Sequence, residues 1–104
     1  MLRIYDVILD VLRELRPVIG HIEAHDLALG KQLRRCATSM ALNTAEGSGC
    51  YGGTQRQRYR DALGSARETG ACLEAADALG YCPLDAALRD RIEHIAATLV
   101  RVVR

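Results

Sequence analysis

An all-α fold follows from three observations. Aliphatic residues recur at helical spacing through four segments, the composition is rich in Ala and Leu with no Phe or Trp, and only two prolines occur in 104 residues. Small and unbranched residues favour helices, and the β-branched and aromatic mix of strands is scarce. Four helical segments joined by three short breaks predict a single domain over residues 1–104, folded as an antiparallel up-down-up-down four-helix bundle.

The first helix is expected over about Leu2 to Ile22. Ile4, Ile8, Val11, Leu15, Val18 and Ile22 form one helical stripe. Tyr5, Leu9, Leu12 and Ile19 lie beside it, so this helix is apolar over more than one face. Such a helix is either central or buries its second side against another subunit. Pro17 is expected to kink or divide it. The second helix is expected from Asp26, a plausible N-cap, to Glu46, with Leu29, Leu33, Cys36, Met40 and Asn43 as its inner line. The glycine-rich stretch 47–53 ends it. Thr54 and Gln57 have capping-box spacing and are expected to start the third helix. Along it Tyr59, Ala62, Ala66, Thr69, Leu73 and Ala76 alternate by three and four, a pattern suited to bundle packing. Gly80 is expected to stop the third helix and Pro83 to occupy the first turn of the fourth. There Leu84, Leu88, Ile92, Ile95, Leu99 and Val102 repeat the stripe.

Formal net charge is +1, so no global field points to nucleic acid or membrane. The local balance differs. From Lys31 to Arg60 stand six bases (Lys31, Arg34, Arg35, Arg56, Arg58 and Arg60) against one acid, Glu46. That segment carries +5 and the remainder −4. If the six form one surface, they suit an anionic partner, RNA or DNA. With few aromatic residues to stack on bases, the contact would be mainly to phosphates and weakly sequence-selective. The plainer reading is a solvated helix face. Acidic residues within the first 17 positions argue against a secretory signal, no apolar run is long enough to span a membrane, and no two of the four cysteines have C-x-x-C spacing. These features lead to the expectation of a cytoplasmic protein with reduced thiols and no membrane partner.

Motifs that resemble chemical sites lack their required context. Gly47-Ser-Gly49-Cys-Tyr-Gly52 matches G-x-G-x-x-G, but a helix precedes it where the dinucleotide fingerprint needs a strand. His21 and His25 make at most half a metal site, and nothing in the sequence places a His beside a cysteine nucleophile. The chain is therefore expected to be non-enzymatic, with no cofactor and no metal. Ser39, Asn43 and Glu46 share one side of the second helix, with Ser65 and Glu68 on the third. They are read as a polar lock between those helices, with the Asn43 amide pairing to Ser65 or Glu68.

Two motifs carry a family resemblance. Gln32-Leu-Arg-Arg-x-Ala-x-Ser39-x-x-x-Asn43-x-Ala-Glu-Gly47 is followed by Tyr59-x-x-Ala62-x-Gly64-Ser65-x-x-Glu68 and then Leu79-Gly80-Tyr81. Together they resemble the four-helix-bundle proteins first named for intervening sequences in bacterial 23S ribosomal RNA genes. The accessory proteins of diversity-generating retroelements are similar. The resemblance spans essentially the whole chain. It implies an antiparallel four-helix protomer and a ring-like homopentamer. From the retroelement relatives it implies association with a reverse transcriptase and nucleic-acid binding through basic surfaces, the matching positions being Arg34 and Arg35. Family members often carry a basic residue where this chain has Cys50, an apolar one at Thr44 and a proline at Ala41. The expected function is that of a non-enzymatic oligomeric bundle associated with nucleic acid. The alternative is a scaffold or protein-interaction module with no nucleic-acid binding.

Overall fold

The structure, a computed structural model, describes residues 2–104. Four helices occupy most of the chain: α1 (Ile4–His25), α2 (Leu27–Ser48), α3 (Gly52–Ala78) and α4 (Ala86–Val102). There are no strands among the described residues. Each helix packs on its sequence neighbours, and α4 returns to α1, so the four close a bundle. Cross-helix pairs fix the directions. Gln32 meets Glu68, Ser39 meets Ser65 and Gly47 faces Tyr59, so residue numbers rise along α2 as they fall along α3. Glu23 with Arg34, across the one-residue corner, sets α1 against α2 in the same antiparallel sense, and Glu14 with Arg91 ties α1 to α4.

Asp26 alone joins α1 to α2. Its backbone N–H closes α1 on the Ile22 carbonyl at 2.8 Å, and its carboxylate accepts from the Leu29 N–H at 3.0 Å. One residue thus satisfies the end of one helix and the start of the next. Helix α1 extends to His25, beyond the expected Ile22, and Pro17 does not divide it. Pro17 is exposed, and so is Arg13, whose carbonyl would have accepted its missing N–H and is instead open to solvent.

The start of α3 departs from expectation. It begins at Gly52, inside the stretch read as a loop, and Thr54 is exposed in its first turn with no capping bond. Gly52 enters the helix at φ +55°, a conformation open to glycine at little cost. No side chain caps the start of α3; the Gln55 side-chain amide instead donates to the carbonyls of Gly47 and Cys50 at 3.1 and 3.0 Å, tying the turn to the helix. At the other end of α3, Gly80 has φ +78°. The Gly80 N–H bonds the Asp77 carbonyl and the Tyr81 N–H bonds that of Ala76, a Schellman closure. Helix α4 starts at Ala86, later than Pro83 suggested. Its cap is Asp85, whose carboxylate accepts from the N–H groups of Ala87 and Leu88.

The core follows the aliphatic stripes, with Leu29, Leu84 and Val102 at the stripe ends only half-buried and with shifts on α1 and α2. On α1, Ile19 is buried in place of Val18. On α2 the buried line runs Gly30, Leu33, Cys36, Ala37, Met40, Ala41, Thr44 and Gly47, so Thr44 replaces Asn43. The Thr44 hydroxyl donates to the Met40 carbonyl one turn back at 2.8 Å, which lets it enter the core with its donor satisfied. Thr69 does the same on α3 toward Ser65. Tyr5, Leu9 and Leu12 on the second face of α1 are half-buried.

Candidate nucleic-acid interface

Beside the α2–α3 seam lies an open groove of about 610 Å3. Helix α2 supplies most of it, from Lys31 through Arg34, Arg35, Thr38, Ser39, Leu42 and Asn43 to Glu46, and α3 adds Arg58. Four of the six basic residues singled out in the sequence therefore converge. Arg56 and Arg60 do not line the groove. Each stands two residues from Arg58, about 200° around the helix, so they cannot share its face.

The groove cations differ in what holds them. Arg34 pairs with Glu23 of α1 at 3.0 Å, and Arg58 pairs with Glu46 at 3.2 Å. Exposed pairs like these contribute about 1 kcal/mol or less and exchange readily for another anion. Among the described residues, no ion pair engages Lys31 or Arg35. Arg56 and Arg60 are likewise outside any ion pair there and exposed to solvent.

The five residues read as a polar lock form three separate links. The Ser65 hydroxyl donates to the Ser39 hydroxyl at 2.8 Å, which joins α3 to α2. The Asn43 amide donates to the Ser39 hydroxyl at 3.0 Å and to the Ser39 carbonyl at 3.1 Å. It reaches neither Ser65 nor Glu68, because it projects along its own helix to the residue one turn back. Glu68 instead accepts from Gln32, and Glu46 pairs with Arg58. Ser39, Asn43 and Ser65 are half-buried, while Glu46 and Glu68 are exposed. The fully buried polar residues at this seam are Thr44 and Thr69. Thr69 belongs to the packing pattern read along the third helix, and Thr44 stands outside the expected inner line of the second because a threonine bonded to its own helix packs like valine.

Behind the groove, Cys36 and Cys72 are buried between α2 and α3. Burial, then the neighbouring Cys36 thiol, pushes the Cys72 thiol up to about 12. A proton held so tightly leaves little thiolate near neutral pH, the form that attacks or ligates metals. The Tyr59 phenol is raised by burial and then by nearby Cys50. At the far end of the bundle His25 lies between His21, edge-on at 5.3 Å, and Tyr81, stacked at 5.4 Å. No group of three or more His, Cys, Asp and Glu side chains among the described residues is placed to hold a metal ion. No helix among them is long and apolar enough to cross a membrane.

A second groove of about 190 Å3 runs between α3 and α4. Its floor is apolar, with Leu73, Leu84 and Ile92, and Arg67, Glu74, Arg89 and Glu93 rim it. Its opposite charges cancel, which sets it apart from the cationic groove on α2.

The fold has a solved counterpart. A crystal structure of a protein of unknown function from the S23 ribosomal protein family of Bacteroides thetaiotaomicron superposes with a TM-score of 0.86. The two share 18% identity, and the match covers 97% of this chain and 98% of the other. At that identity the likeness speaks for the fold. No match was found among curated proteins. The family model of the 23S rRNA-intervening sequence proteins matches residues 2–101, nearly the whole chain, and the protein belongs to that family.

Proposed function

We propose that the protein is a non-enzymatic, oligomeric bundle that binds RNA or DNA through the α2 groove. The observation that carries this reading is that Lys31, Arg34, Arg35 and Arg58 line one groove in which, among the described residues, no ion pair engages Lys31 or Arg35. A polyanion supplies a counter-ion and releases its own condensed cations on binding. The half-buried second face of α1 (Tyr5, Leu9 and Leu12) supports self-association, and the family resemblance favours a ring of five. A ring repeats the groove once per protomer, so weak phosphate contacts gain from multivalency. The same resemblance makes a reverse transcriptase a candidate partner. Sedimentation equilibrium tests the assembly: a concentration-independent monomer excludes it.

Fluorescence anisotropy with labelled RNA and DNA oligomers across a salt series tests the function. Binding is expected to be indifferent to base sequence and to weaken steeply with salt. Charge reversal at Arg34 and Arg35 is expected to lower affinity similarly for all sequences. An unchanged salt slope in that variant places the surface elsewhere. The second reading, a protein-interaction scaffold, is favoured by the α3–α4 groove with its apolar floor and balanced rim. Absence of nucleic-acid binding even at low salt selects it.

A further inference from the structure

The α2 groove is not uniformly cationic. Its positive residues cluster at one end, where Lys31, Arg34 and Arg35 stand. Past Thr38 the lining changes to Leu42 and Asn43 before the Arg58–Glu46 pair is reached. Leu42 is 57% exposed, one of few large apolar side chains that the fold leaves in water. Residues 31 to 46 span about 22 Å of helix, several nucleotides of extended strand. The Asn43 amide nitrogen is committed to Ser39, which leaves the carboxamide oxygen to accept from a ligand.

Phosphate alone has no use for the second half of this groove. An exposed leucine gains from an apolar surface laid on it, and a free carboxamide oxygen gains from an N–H donor. Every base offers both, through its flat face and an N–H on its pairing edge. In a duplex the faces are stacked and the pairing edges are occupied, so only an unpaired base presents them. Resting on the nucleic-acid reading above, we infer that the groove holds a single-stranded segment. Its phosphates lie at Lys31, Arg34 and Arg35, and a base lies against Leu42 within reach of the Asn43 oxygen. Preference for the single strand then comes from the uncharged half of the groove and affinity from the charged half.

Electrostatics alone predicts the opposite order, because a duplex carries the denser phosphate charge. That makes the comparison decisive. Labelled single strands and duplexes of equal length are titrated by anisotropy at matched salt, with the intact protein and with Leu42→Ala. Leu42 is exposed, so the variant retains the fold, which circular dichroism verifies. The single strand is expected to bind tighter. Leu42→Ala is expected to weaken it about fivefold with the salt slope unchanged, and to leave the duplex unaffected. Equal or tighter duplex binding overturns the single-strand inference and leaves nucleic-acid binding standing. So does a Leu42→Ala variant that binds both forms as the parent does. Binding to neither form at low salt overturns the inference together with the reading beneath it.

Discussion

Helices α2 and α3 bury glycine, alanine, cysteine and threonine among a few larger side chains, whereas α1 and α4 bury only isoleucine, leucine and valine. Of the four main seams, the first pair makes the most extensive and the second pair the least. Small residues let two backbones approach, so the α2–α3 seam gains from many short contacts and from hydrogen bonds such as Ser65 to Ser39. Large aliphatic residues hold axes apart and stabilise through the apolar area they remove from water. Tight seams punish added atoms and aliphatic seams punish lost ones. The candidate interface lies on the tight pair, where groove residues are held to a fixed geometry.

Removing volume from the aliphatic pair is expected to have the largest effect. Leu99 is fully buried on α4, and Leu99→Ala should cost about 2–5 kcal/mol in urea denaturation. A loss well under 1 kcal/mol would show that α4 contributes little and break the comparison. Adding a single carbon to the tight pair comes next. A Cβ at Gly47 would stand 2.5 Å from a ring carbon of buried Tyr59. Gly47→Ala should therefore destabilise by about 1–3 kcal/mol despite the better helix former.

Alkaline pH probes the same seam without mutation. Cys72 holds its proton to about 12 when folded, against an ordinary thiol value of 9.0. Between those values the unfolded chain has lost a proton that the folded chain keeps, so stability is intact below 9 and falls as pH rises. Denaturation at pH 10 should show a loss of about 1 kcal/mol relative to pH 8, which Cys72→Ala diminishes. The smallest effect has the opposite sign. A Cβ at Gly70 of α3, facing α4, would meet Ile92 at an ordinary 3.8 Å. Gly70→Ala should raise stability by about 0.5–1 kcal/mol, and a loss there would show that the α3–α4 seam is as tight as its neighbour.

The aliphatic pair was also the more legible in the sequence. Stripes of Ile, Leu and Val at three- and four-residue spacing located α1 to within three residues at each end and the four buried positions of α4, while Leu84 and Val102 at the ends of that stripe are half-buried. Residues with two structural meanings were harder to read. Gly52 and Gly53 look like loop and are the first turn of α3, because glycine accepts the positive φ at the entry. Pro83 looked like a helix start, yet Asp85, with a carboxylate to offer, is the cap. Asn43 and Thr44 exchanged places because both are polar on paper, and only the backbone bond of Thr44 makes it a core residue. The arginines of α3 were grouped by number, whereas helical rotation separates Arg56 and Arg60 from Arg58. Convergence of Lys31, Arg34, Arg35 and Arg58 depends on how α2 and α3 cross, which spacing along either helix does not encode.

The single-residue corner at Asp26 has a consequence for how the molecule forms. With α1 and α2 joined so closely, their pairing closes almost no loop, and α2 with α3 follows across a turn nearly as short. Three of the four main seams link consecutive helices, so little chain entropy opposes assembly in sequence order. Of these four, the α1–α4 seam joins the most distant parts of the chain, and it is the least extensive. Helix α4, reached across the longest connection, is expected to dock last and open first. Its amides should exchange with solvent ahead of those in α2 and α3, while the grooved half of the bundle stays closed.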